Sequence, residues 1–197
     1  VLVMAITNNI LVSYGAESKY GAEIPLTTIG ITMKVNQIVS AILLGLATGA
    51  QPIFGYNYGS GKKDRVKQAY RIILAVSTIV LILAFLVFQF APMSIVRLFG
   101  SESELYNEFA VKCFKIFLLA CPINGLQMAT GIFFQAIGKP TQATILSLSR
   151  QIVYLLPATL LLPLVLGVEG ALWAGPLADV LAFITTLVML KLYWKKI

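Results

Sequence analysis

Asp179 is a carboxylate in the middle of an otherwise uncharged stretch, and the cations Lys34 and Arg150 are embedded in stretches of the same kind. In hydrocarbon a carboxylate at a helix centre costs about 2.5–3.5 kcal/mol even on the lenient insertion scale, so Asp179 is either protonated or paired. Intramembrane charges of this kind support proton or cation coupling, solute binding, or a static structural ion pair. At 1.5 Å per residue, Lys34 and Asp179 each lie roughly 15 Å from the outer ends of their segments. Arg150 is approached from the other side and sits deeper. The depths therefore predict that Asp179 pairs with Lys34 in preference to Arg150.

Uncharged polar residues fall on helical stripes, because steps of three and four return to one helix face. Lys34, Gln37, Ala41, Leu44, Thr48 and Gln51 form one stripe. Cys121, Asn124, Gln127, Gly131 and Gln135 form a second. Ser147, Arg150, Tyr154 and Ala158 form a third, and Trp173, Pro176, Asp179, Phe183 and Thr186 a fourth. Thr7, Asn8 and Asn9 add polar atoms to the first stretch. Such stripes either hydrogen-bond between helices, at roughly 0.6–2 kcal/mol each, or line a polar cleft. Candidate cavity residues are therefore Asn8, Asn9, Gln37, Thr48, Gln51, Asn124, Gln127, Gln135 and Tyr154, with Lys34, Arg150 and Asp179 as candidate coupling charges.

Other chemistries lack their residues. The chain has no histidine, which removes His-based metal sites, Ser-His-Asp triads and histidine proton shuttles. Asp179 is the only aspartate within an apolar segment, so a paired-aspartate intramembrane protease has no second acid. Cys113 and Cys121 on one helix would stand about 12 Å apart, too far for a disulfide; they read as buried small hydrophobes. No catalytic residue, metal or cofactor is expected, and the chain reads as a non-enzyme.

The elements that position these residues are membrane spans. Of 197 residues, 58 % are apolar and 12 % charged, against roughly 25 % charged in a soluble domain; the mean hydropathy is +0.87. A bilayer crossing needs about 20 apolar residues. The sequence predicts an all-α membrane protein, a six-helix bundle forming a single lobe over residues 1–197. Spans are expected at about 24–55, 70–97, 109–137, 141–166 and 170–191. A shorter stretch at 1–15 has no initiator Met, basic flank or cleavage site, and is expected to be the tail of a truncated helix. Gly167 and Glu169 mark a tight hairpin. Gly45 and Gly49 form a GxxxG suited to close helix contact. Pro122, Pro157, Pro163 and Pro176 lie inside spans, where each removes a backbone donor and can kink its helix.

The net charge of +7 is a topology signal. Lys62, Lys63, Arg65, Lys67 and Arg71, then Lys139 and Arg150, then Lys191, Lys195 and Lys196 fall on one side. The opposite connections hold Lys19, Arg97, Lys112 and Lys115 with the acids Glu102, Glu104 and Glu108. The positive-inside rule puts the first set, and both chain ends, in the cytoplasm of a cell membrane. The basic side also suits contact with anionic lipid; nucleic acid is not an expected partner.

The stretch GLATGAQPIFGYNYGSGKKDRVKQAYR (Gly45 to Arg71) resembles the signature of the multidrug and toxic compound extrusion (MATE) family. FFQAIGKPTQATILSLSRQ (Phe133 to Gln151) and VEGALWAGPLADVL (Val168 to Leu181) resemble it further, in the expected order. The resemblance implies a protein of two six-helix lobes around a central cavity, this chain being similar to the second lobe, so that an N-terminal lobe is missing. It implies export of organic cations and other drugs against an inward H⁺ or Na⁺ gradient by alternating access. In sodium-coupled members, acids on helices equivalent to the first and fourth here help bind the cation. This sequence departs from that pattern: Asn124 stands near the fourth-helix position, and the first stretch offers Asn8 and Asn9. Asp179 belongs to an Ala-Asp pattern that is either structural or part of coupling. A lipid-linked oligosaccharide flippase of the same superfamily, and a non-transporting membrane scaffold lobe, are the alternative readings.

Overall fold

The computed structural model describes residues 2–100 and 103–194. The expectations placed on Glu102, Lys195 and Lys196 lie outside the described residues. Among those described the secondary structure is helical, as the absence of any alternating apolar pattern demands. Five helical stretches are long and apolar enough to cross a bilayer: Glu23–Gly59, Lys63–Phe90, Glu104–Ala136, Pro140–Leu166 and Val168–Trp194.

A shorter helix, α1 (Leu2–Ala16), precedes them. The first long stretch is α2 (Glu23–Gly49) followed by α3 (Gln51–Gly59), with Pro52 seated in the first turn of α3. Proline is tolerated there because first-turn N–H groups have no partner within the helix. The next is α4 (Lys63–Phe90), and Pro92 opens the short α5 (Pro92–Phe99). Then come α6 (Glu104–Phe117) and α7 (Asn124–Ala136), joined through a 3₁₀ turn at Cys121–Ile123 that contains Pro122. The fifth stretch is α8 (Pro140–Leu148), a π-helical segment at Ser149–Leu155, and α9 (Leu156–Leu166). The last is α10 (Val168–Trp194).

The largest boundary shifts fall on the second long stretch, with smaller ones at Gly59, where 55 was expected, and at Glu104, where 109 was expected. The second long stretch begins at Lys63, not 70, because Lys63, Arg65, Lys67 and Arg71 occupy the opening turns of α4 instead of a loop. Lysine and arginine are good helix formers, and their stems can cover apolar surface while the charged heads reach water. That stretch also ends at Phe90, not 97, and the remainder folds separately as α5.

Three apolar cores hold the bundle. Phe54, Tyr70, Phe133 and Phe134 centre the first, with Tyr193 and Trp194 of α10 packed against it. Phe54 and Phe133 meet edge-on with ring centroids 5.3 Å apart, a favoured aromatic geometry. Leu43, Leu81, Phe88 and Phe114 anchor the second. Leu11, Ile29, Phe109 and Leu172 anchor the third, with the thiol of Cys113. Both cysteines are buried and free. Much of the outer surface is apolar: Ile79, Leu83, Leu161, Leu164 and Val165 are all exposed, as expected for faces solvated by lipid tails.

The α9–α10 hairpin closes through glycine. Gly167 has φ +61° and ψ −144°, a region essentially reserved for glycine. Gly170 lies so close to the Leu162 carbonyl that a Cβ could not be fitted between them. Gly45 and Gly49, in contrast, have open space where a Cβ would stand. Among the described residues their GxxxG brings no second helix close, because both lie on an exposed face of α2.

A polar clamp ties three connections together. Lys19, in the α1–α2 connection, donates to both carboxylate oxygens of Glu108, at 2.9 and 3.1 Å. The Tyr20 hydroxyl donates to Glu108 Oε1 at 2.8 Å. Lys112 donates to Tyr20 Oη at 3.2 Å and to Glu169, at the start of α10, at 2.7 Å. The hydrogen bond to Glu108 is the main cause that raises the Lys19 ammonium above the ordinary lysine range.

Candidate functional site

A cavity of about 320 Å³ opens between α2, α7, α8 and the π-helical segment. It is built from one face of each element. The whole stripe on the fourth span lines it: Cys121, Asn124, Gln127, Gly131 and Gln135. On the fifth span, Ser147 and Arg150 line it as members of the third stripe. From α2 it takes Asn36, Ser40, Leu43 and Leu44. This face adjoins the stripe read from the sequence and shares only Leu44 with it.

The charge arrangement corrects the expected pair. Asp179 is bonded to Arg150, not Lys34. Arg150 Nε donates to Asp179 Oδ1 at 2.8 Å, and Nη2 forms an ion pair with the same oxygen at 2.7 Å. Asn124 Nδ2 donates to Asp179 Oδ2 at 2.9 Å. Lys34 is exposed on α2 and makes no ion pair among the described residues. Depth along each helix axis is the wrong criterion, because it ignores which helices are neighbours. The π segment and α9 pack directly on α10, whereas α2 and α10 each pack mainly on other helices, α6 and α7 among them. A guanidinium on a long flexible stem then spans the remaining offset in depth.

The π segment helps place Arg150. Leu156 N–H bonds to the Gln151 carbonyl, five residues back, as in a π turn. Pro157 follows at once. In a regular α-helix its ring would clash with the carbonyl four residues earlier, and a widened turn relieves that contact. A regular helix would also put Leu146 and Ala158 about 120° apart around the axis; both are buried here, so the wide turn keeps the two halves facing inward together. Tyr154, from the same segment, does not line the cavity; its hydroxyl pairs with that of Thr185 at 2.6 Å.

The remaining candidates are dispersed. Gln37 and Thr48 are exposed on α2, beside the cavity, and Gln51 is half-buried at the start of α3. Asn8 and Asn9 are exposed on α1. Asp179 itself stands behind the wall, only 5 % exposed. Sequence reasoning missed Asn36, Ser40 and Gln151 as lining residues. Their spacing carried the signal: Asn36 and Ser40, and likewise Ser147 and Gln151, are four apart on one helix face.

The wall has an unsatisfied acceptor. Asn124 Oδ1 is buried and has no hydrogen-bond partner among the described residues. Gln127 is partly committed, its Nε2 donating to the Leu146 carbonyl at 3.1 Å and tying α7 to α8. Among the described residues no group of three or more His, Cys, Asp or Glu side chains gathers to hold a metal ion. The arrangement is suited to binding and release of a solute.

This architecture is shared with known transporters. The chain is 35 % identical to a MATE multidrug transporter of solved structure, DinF-BH; the TM-score is 0.77 over 88 % of this chain and 39 % of that one. An outward-facing MATE family transporter of the MOP superfamily has the same fold, with TM-score 0.88 over 99 % of this chain and 43 % of that one, at 16 % identity. Among curated proteins, multidrug export protein MepA of Staphylococcus haemolyticus (strain JCSC1435) is 25 % identical over 168 residues, 85 % of this chain and 36 % of MepA. A FAD transporter of Shewanella oneidensis is 21 % identical over 182 residues, 91 % of this chain. The chain spans only 36 % and 39 % of these two relatives' lengths. The MatE family model matches residues 3–160, and with its apolar spans and MATE-like fold this multi-pass membrane chain belongs to the MatE family.

Proposed function

We propose that this chain is one lobe, the C-terminal one, of a secondary active multidrug exporter. The whole of 1–197 acts as a single transmembrane unit. Its partners are an N-terminal lobe of the same protein, small-molecule drugs and a coupling ion, H⁺ or Na⁺. The lobes rock about the shared cavity, and uptake of the ion down its gradient resets the site. The protein works in the cell membrane with both ends of this chain cytoplasmic, in keeping with its basic side.

The observation that carries this reading is a polar cavity adjoining an exposed polar stripe in an otherwise lipid-compatible bundle. Lys34, Gln37 and Thr48 are exposed on α2, where a lysine facing hydrocarbon is strongly disfavoured. An opposing wall that encloses water relieves that penalty. The relatives' multidrug names support the substrate class.

The test is substrate movement by the full-length protein in proteoliposomes. Ethidium should be expelled when an inward proton or sodium gradient is imposed, and collapse of the effective gradient should stop it. Ethidium flux that ignores both gradients would rule out coupled export.

A further inference from the structure

We propose that the cavity between α2, α7 and the π segment takes an uncharged, amide- or imide-bearing ligand in preference to an organic cation. The proposal rests on the exporter reading, with the ligand as cargo, and names the chemistry this lobe recognises.

The lining decides the class. Asn36, Asn124, Gln127, Gln135 and Gln151 place five carboxamides around one cavity, with the hydroxyls of Ser40 and Ser147 between them. Each carboxamide carries two donor hydrogens and an acceptor oxygen, so the wall complements neutral groups that donate and accept together. Helix cross-linking accounts for only part of this set. Gln127 reaches the Leu146 carbonyl and Asn124 reaches Asp179. Asn36, Gln135 and Gln151 have no hydrogen-bond partner among the described residues, and Asn124 Oδ1 is a buried acceptor with none.

Charge argues against a cation at this wall. Among the described residues no carboxylate lines the cavity, and the one charged lining residue is Arg150. Asp179 lies behind that guanidinium, with Oδ1 taken by Arg150 and Oδ2 by Asn124. An entering cation would meet a positive group first and find the carboxylate already paired. Leu43, Leu81, Met128 and Ile132 supply apolar surface for the rest of the ligand. A volume of about 320 Å³ falls at the small end of ligand pockets, which run from about 300 to 1,000 Å³.

The experiment uses the full-length protein in lipid nanodiscs and two radiolabelled probes: chloramphenicol, an uncharged amide, and tetraphenylphosphonium, a permanent cation. Gln135→Leu and Gln151→Leu remove amides that make no internal hydrogen bond, so folding is spared. The expected result is a chloramphenicol Kd raised about tenfold or more in the double variant, with the tetraphenylphosphonium Kd within about twofold of wild type. No chloramphenicol binding by the wild type, an unchanged chloramphenicol Kd, or equal weakening of both probes overturns the proposal. Gradient-driven ethidium export by the wild type is measured in parallel. Its absence removes the exporter reading, while the binding contrast between the two probes still judges the cavity.

Discussion

Arg150 and Asp179 meet side-on: guanidinium Nε donates to one carboxylate oxygen, Oδ1, Nη2 pairs with that same oxygen, and Oδ2 is left to Asn124. The arrangement joins the π segment, α10 and α7 at one point. The Asp179 side chain is 6 % exposed and that of Arg150 27 %, so the pair is largely withdrawn from solvent.

Asp179→Asn should therefore destabilise the protein. It leaves the guanidinium without its counter-charge, and removing one partner of a buried pair typically costs about 3–5 kcal/mol; the partial exposure of Arg150 places the loss at the lower end. The charge-swapped double variant, Arg150→Asp with Asp179→Arg, should recover part of it, since the Asn124 amide can turn to present its oxygen. Lys34→Gln is the control and should leave the melting temperature unchanged. A larger drop for Lys34→Gln than for Asp179→Asn in thermal unfolding would contradict the observed pairing.

At the hairpin, Gly170→Ala should be poorly tolerated. A methyl group there collides with the Leu162 backbone, which cannot move without opening the α9–α10 contact. Gly167→Ala forces a left-handed conformation at about 1–3 kcal/mol. Both should lower the yield of folded protein in size-exclusion profiles, whereas Gly45→Ala, with open space around it, should behave as wild type.

Much of this fold is readable in the sequence because membrane spans write themselves in long uncharged runs. The hairpin at Gly167 and the stripe from Cys121 to Gln135 are readable for the same reason: helical spacing places them without knowledge of partners. The partner of Arg150 is not, because pairing depends on which helices become neighbours, and periodicity along one helix carries no such information. The π turn is equally hidden. Pro157 announces a disturbed helix but not whether the chain kinks, breaks or widens. Asn36 and Ser40 are masked by the more conspicuous Lys34 stripe, which occupies the adjoining face of α2.

Tyr70 and Phe133 separate hydrogen bonding from packing in the first core. Tyr70 Oη lies 2.7 Å from Thr130 Oγ1, and the Thr130 hydroxyl also donates to the Leu126 carbonyl at 2.6 Å. Tyr70→Phe thus leaves Thr130 bonded and should cost only about 1 kcal/mol. Phe133→Ala empties a fully buried site between Phe54, Tyr70 and Phe134 and should cost about 3–5 kcal/mol. The ranking is checked by denaturation in one detergent, and equal losses would mean that the ring cluster is looser than its centroid distances imply.

Gln37 offers the sharpest contrast between stability and transport. It is exposed on the same face of α2 as Lys34 and Thr48 and has no hydrogen-bond partner among the described residues. If that face looks onto lipid, Gln37→Leu relieves a penalty and should improve or preserve activity. If it looks onto the opposing lobe across water, the same change makes the wall more apolar and should lower gradient-driven ethidium export several-fold while thermal stability stays level or rises. Phe54→Ala, deep in the first core, should show the opposite signature, with loss of stability first. The two readouts, melting temperature and initial efflux rate in proteoliposomes, move independently, so unchanged export by Gln37→Leu would assign the stripe to the lipid-facing surface.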